Sequence, residues 1–163
     1  MYKNSNQYLY AKQIIVSKNF EYKFKLFDKQ ITLNNDFNWD INFTDSEKIS
    51  ALHRWHWLLT NIFNKNKIKY NDGIQAIELW ISKFGKNKRV VDSYEISERI
   101  SNLIIFALYN QKSKNDLSLE ILNYLEKNKK ILCNQLEFNN DELTGNHLVN
   151  NSRALILYGC FVG

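Results

Sequence analysis

Five side chains able to hold an anion fall within eight positions near the C-terminal end of the sequence: Asn146, His147, Asn150, Asn151 and Arg153. They stand directly before Ala154 to Gly163, a run so apolar that no single stripe holds its hydrophobic residues. Amides and imidazoles that lose water without gaining a partner cost roughly 1–3 kcal/mol each. A helix that opens with such groups and goes on into the core therefore needs something polar to face. Asn146, Asn150 and Arg153 recur at i, i+4 and i+7, which makes one polar stripe on an otherwise apolar helix. The chemistry available is stabilisation of a carboxylate: an amide donates without titrating, and an imidazole can donate or take a proton. Structural readings stand beside this one. Asn146 could be the N-cap of the last helix, His147 a packed core residue, and Arg153 the partner of Glu142 or another acid.

A second set lies upstream. Arg99 and Asn102 sit at i, i+3 on one helix face; an arginine guanidinium suits bidentate contact with carboxylate or sulfate, although Glu95 and Glu98 are close enough for intrahelical pairing. His53, Trp55, Trp57 and Tyr94 could stack against sugar rings or simply fill a core. His53 and His56 stand three apart, but no further ligand completes a metal set, so no metal and no cofactor are expected. Phosphate-cradling glycine loops and serine-nucleophile elbows are absent from a chain with only 5 glycines.

The elements that must position these residues are helical almost throughout. An irregular or short-stranded lead-in occupies residues 1–43, with alternation from Phe20 to Leu26. Thr44-Asp45-Ser46-Glu47 has the order of a capping box, and Leu52, Trp55, Leu59, Ile62 and Phe63 then recur at helical spacing. Further helices are predicted from about Asp72 to Phe84, with Gly85 placed to stop the element, from Tyr94 to Tyr109, from Asp116 to Leu136, and over the terminal run. Short polar loops predict antiparallel hairpins, and so an all-α fold over residues 44–163. The abrupt apolar end reads as a truncated domain.

Length fits one domain, and nothing approaches a membrane span or a secretory leader, which makes the cytoplasm the first expectation while leaving periplasm or secretion open. Cys133 and Cys160 sit in helical apolar patterns and read as small hydrophobes. The net charge of +5 permits an anionic partner. Lysines and arginines are scattered, however, which argues against a nucleic-acid-binding module, and the charge run Lys65 to Lys69 reads as a solvated face.

Several blocks together resemble one family. Leu52-His53-Arg54-Trp55-His56-Trp57-Leu58, Trp80-Ile81, Tyr94-Glu95-Ile96-Ser97-Glu98-Arg99-Ile100-Ser101-Asn102, and Gly145-Asn146-His147-Leu148 with Asn151, Ala154-Leu155 and Gly159 are similar, in order and spacing, to the N-terminal helical domain of heparinase II/III-type polysaccharide lyases. Lys12-Gln13-Ile14 and Asn38-Trp39 extend the likeness to the opening. A tryptophan that the family carries before Tyr94 is replaced here, with Val91 near that place. The resemblance implies part of an α/α toroid whose cleft takes an acidic, uronate-containing polysaccharide, with the β-sandwich domain lacking. It implies β-elimination, with Asn146 neutralising the uronate carboxylate and His147 assisting as donor or base. Arg99, Asn102, Tyr94, His53, Trp55 and Arg153 would contact substrate. The tyrosine and histidine that serve the family as base and acid have no counterpart among the matched blocks, so the 163 residues alone are expected to be inactive. A non-catalytic glycan-binding or interaction fragment is the alternative, and oligomeric state stays open.

Overall fold

The alternation from Phe20 onward forms a β-hairpin, β1 (Glu21–Leu26) and β2 (Lys29–Asn34), paired antiparallel from Glu21 opposite Asn34 to Leu26 opposite Lys29. In the computed structural model, residues 19–41, 43, 45–60, 62–63, 65–85, 92–136 and 146–163 are described. Lys12-Gln13-Ile14, Thr44, Val91, Glu142 and Gly145 lie outside them. The hairpin lies in the lead-in, where short strands were one of the two expectations, and makes the fold mostly helical with a small sheet and not wholly α: Tyr22, Phe24, Leu26, Ile31 and Leu33 are buried, while alternate residues of β1 face water. Phe24 and Trp39 both approach Trp57, with ring centroids 6.3 and 6.1 Å away, so the hairpin closes one side of the helical core.

Helix α1 (Ser46–His53) starts at Asp45, whose carboxylate accepts from the Glu47 N–H at 2.8 Å. It ends much earlier than its apolar spacing predicts. Trp55 adopts a left-handed backbone, φ 61°, and a single 3-10 turn, His56–Leu58, follows. That conformation costs a non-glycine residue roughly 1–2 kcal/mol, an amount that complete burial of the indole can offset. Because the helix breaks, the predicted stripe is not continued, and Phe63 is 87% exposed.

The remaining helices are α2 (Tyr70–Phe84), α3 (Ser93–Tyr109), α4 (Leu119–Asn134) and α5 (Asn146–Phe161). A 3-10 turn at Lys114–Asp116 stands where the start of the fourth helix was expected. Asp92 caps α3 by accepting from the N–H groups of Tyr94 and Glu95. Their contacts fix the directions. Tyr70 stacks near Phe106 and Trp80 near Arg99, so α2 and α3 are antiparallel. Tyr94 meets His147 and Glu98 meets Arg153, so α3 and α5 run the same way. Tyr70 bonds the Asp116 carbonyl just before α4, and Trp80 meets Tyr124, so α2 and α4 also run together. At Gly73 of α2 an added Cβ would stand 2.8 Å from the Phe106 ring of α3. Among the described residues no helix is long and apolar enough to cross a membrane. Cys133 and Cys160 are exposed, contrary to the expectation of buried small hydrophobes, because α4 and α5 turn those positions outward.

Candidate functional site

The parallel course of α3 and α5 brings their N-terminal ends together beside the C-terminal end of α1. Tyr94, half-buried on the first turn of α3, is the hub. The His147 ring lies 4.7 Å from its centroid at 33°, and the Arg54 guanidinium lies 4.7 Å from it as well. Cation–π contact of this kind contributes roughly 0.5–2 kcal/mol. Arg54 also pairs with Glu47 at 2.5 Å. Sequence reasoning missed Arg54, and the signal was its place inside the aromatic block beside His53.

Asn146 is the first residue of α5 and its side chain is exposed. Its neighbours on the stripe separate by environment: Asn150 is half-buried and Arg153 exposed. Arg153 pairs with Glu98, an acid that is itself 8% exposed, and this contact ties the second turn of α5 to α3. Asn151 is fully buried; with its amide oriented to suit both neighbours, the nitrogen donates to the carbonyls of Ser93 at 3.3 Å and His147 at 3.2 Å. It therefore holds the backbone of His147 against the start of α3.

Arg99 and Asn102 face the end of α1. Arg99 is completely buried; it donates to the His53 carbonyl and to Glu95, both at 3.4 Å, and lies 5.1 Å from the Trp80 ring centroid. Asn102 donates to the Arg54 carbonyl at 2.8 Å. The last carbonyls of a helix lack intrahelical donors and carry partial negative charge, and the left-handed turn at Trp55 leaves these two to be satisfied from another element. The i, i+3 pair expected to line a cleft is thus occupied in holding α1 against α3. Trp55, expected as a stacking platform, is wholly buried against Trp80 and Tyr124. Trp57 is likewise buried, its indole N–H bonded to the Leu52 carbonyl.

His53 is half-buried, and its Nδ1 accepts from the Trp80 indole N–H at 3.0 Å. That bond requires an unprotonated Nδ1, which leaves Nε2 as the donor of the neutral ring. Burial holds its pKa below the ordinary histidine value of 6.5. His53 and His56 part company here, since His56 is exposed at the far side of the turn. A separate hollow of about 360 Å³, lined by Leu26, Phe27, Ala51, His56, Leu59 and Thr60, opens between the hairpin and that turn, away from the Tyr94 cluster.

What the arrangement offers chemically is an exposed amide and imidazole at a helix start, where partial positive charge favours anions, on a base of buried arginine, asparagine and tryptophan side chains. Each arginine of the cluster is paired with a glutamate. No protein family, curated protein or solved structure matches this chain.

Proposed function

We propose that this chain is the N-terminal helical part of a polysaccharide lyase that cleaves a uronate-containing polysaccharide by β-elimination, and that Asn146 neutralises the uronate carboxylate. The observation that carries the reading is the exposed Asn146–His147 pair at the start of α5, seated beside Tyr94 and Arg54. In β-elimination the proton next to a charged carboxylate is too weakly acidic to leave until donors stabilise the charge that builds there. An amide at a helix N-terminus is suited to that task because it donates without itself titrating. His147 acts as second donor or as base. Arg99, Asn102 and Trp55 hold the elements beneath the site in place, while Tyr94, His53 and Arg153 contact substrate around Asn146. The alternation of α2 and α4 with α3 and α5, each pair running one way, is compatible with the layered stack from which an α/α toroid is built.

Elimination is followed by the ultraviolet absorbance of the unsaturated product on heparan sulfate, alginate and related polymers. The reading expects negligible product from the 163 residues alone. In a protein joining them to the family's tyrosine and histidine it expects turnover that Asn146→Ala lowers by about 10²- to 10³-fold. Robust product from the 163-residue chain would put base and acid within it and overturn this assignment of roles.

A further inference from the structure

The end of α3 opposite Tyr94 carries a surface that the lyase reading does not use. Phe63 is 87% exposed, Leu108 52% and Tyr109 37%. The Phe63 and Tyr109 rings form a preformed edge-to-face pair 5.7 Å apart at 89°. The Lys67 ammonium lies 5.1 Å from the Tyr109 ring centroid, and the Lys112 ammonium 5.4 Å from that of Tyr70. Residues 65–72 and 108–116 contain five lysines (65, 67, 69, 112 and 114) against two aspartates (72 and 116), an excess of positive charge around the rings. Lys65, Lys67 and Lys69 are exposed and form no ion pair among the described residues.

One exposed hydrophobic residue needs no explanation. An aromatic pair held open beside an exposed leucine, with Lys67 over one ring and exposed Lys65 and Lys69 on the same segment, does, since water gains nothing from it. We propose that this surface is a docking site for an anionic lipid surface, with Phe63 entering the boundary between headgroups and acyl chains. Lysines then extend their ammonium groups to the lipid phosphates while their stems stay along the apolar patch. Tyr109 has the amphipathic character suited to the headgroup level. A glycan platform is the poorer fit: Lys67 already lies over the Tyr109 ring, and Leu108 has no face on which a sugar ring could stack. Tyr94 and Tyr109 are fifteen residues apart on one helix, about 22 Å at ~1.5 Å per residue, so docking by this end leaves the Tyr94 cluster at the far end of α3 from the membrane. The proposal is independent of the lyase reading.

Flotation of the full chain with vesicles tests it. Vesicles of equal parts phosphatidylglycerol and phosphatidylcholine should bind the chain, vesicles of phosphatidylcholine alone should not, and high salt should release it. Phe63→Ser should weaken binding about tenfold, and each of Lys65→Ala, Lys67→Ala and Lys69→Ala about fivefold. Ile156→Ser, on an exposed position of α5, and Asn146→Ala should leave vesicle binding unchanged. Circular dichroism of each variant should match that of the parent. Absence of binding to the anionic vesicles overturns the proposal, as does binding indifferent to both Phe63→Ser and the lysine variants. So does a loss of polyuronate affinity in those variants while vesicle binding persists, which would make the patch a glycan site.

Discussion

The two ends of α3 both carry positive charge and use it in opposite ways. At the N-terminal end three arginines, Arg54, Arg99 and Arg153, each hold a glutamate; the Arg54 guanidinium also lies over the Tyr94 ring, and that of Arg99 reaches the His53 carbonyl beside the Trp80 ring. At the C-terminal end the cations are lysines, mostly exposed, around an open aromatic pair. A planar guanidinium fixed by a carboxylate loses little when it binds again in the same geometry, whereas an ammonium on a flexible stem is a mobile point charge. The first arrangement builds a shaped site; the second builds an adhesive surface. Substitutions at the two ends should therefore differ in kind, with stability changes at one and association changes at the other.

The largest effect should come from Arg99→Ala, which removes the donor to the His53 carbonyl, leaves Glu95 without its helical partner and opens space beside Trp80. Loss of one member of a buried pair typically costs about 3–5 kcal/mol, and denaturant unfolding would measure it. A cost below about 1 kcal/mol would mean that the arginines are incidental to the fold. Gly73→Ala probes the packing beneath the opposite end. The new methyl group meets the buried Phe106 ring and lies 3.2 Å from Leu58, so overpacking should cost about 1–3 kcal/mol. An unchanged midpoint would show that the ring yields freely.

A smaller effect follows from pH. The folded pKa of His53 lies below 6.5 because of burial. As pH falls through about 6.5, the unfolded chain takes up a proton at this residue that the folded chain still refuses, so stability declines until the pH passes the folded value. Unfolding curves between about pH 7.5 and 5.5 should show this decline, and His53→Gln should flatten it. An identical slope in the variant would refute the assignment. The smallest change is expected at Phe63→Ser, which should alter stability by no more than about 0.5 kcal/mol because the ring is exposed. A clear loss of stability would show that the aromatic pair supports the fold instead of standing open.

How far the sequence spoke depended on how local the deciding force was. Strong periodicity, with Gly85 as a stop for the first of them, made α2 and α3 readable to within about two residues at each end. The same periodicity misled at Phe63, because α1 breaks at Trp55 and the stripe does not run on to that ring, although Leu59 still packs against the core. Arg99 and Asn102 read as ligand-binding residues since their partners, carbonyls at positions 53 and 54, lie more than forty residues away and have no side-chain signature. The neighbourhood of Tyr94 with His147 could not be seen in spacing either; it arises from the parallel course of two helices separated by a third. The lysine run beside Phe63 looked like an ordinary solvated face, and only exposure of the rings gave it meaning.

The central claim is that the start of α5 recognises a carboxylate through Asn146, and calorimetric binding of a polyuronate and of its methyl ester tests it most directly. With the free acid, Asn146→Ala should weaken binding by about 10- to 100-fold, the worth of a hydrogen bond to a charged group. With the ester the same substitution should change little, and the melting temperature should stay where it was. Equal losses on acid and ester, or a melting temperature lowered by an amount that matches about 1 kcal/mol of lost helix start while affinity for the acid is unchanged, would contradict the claim and leave Asn146 a structural residue.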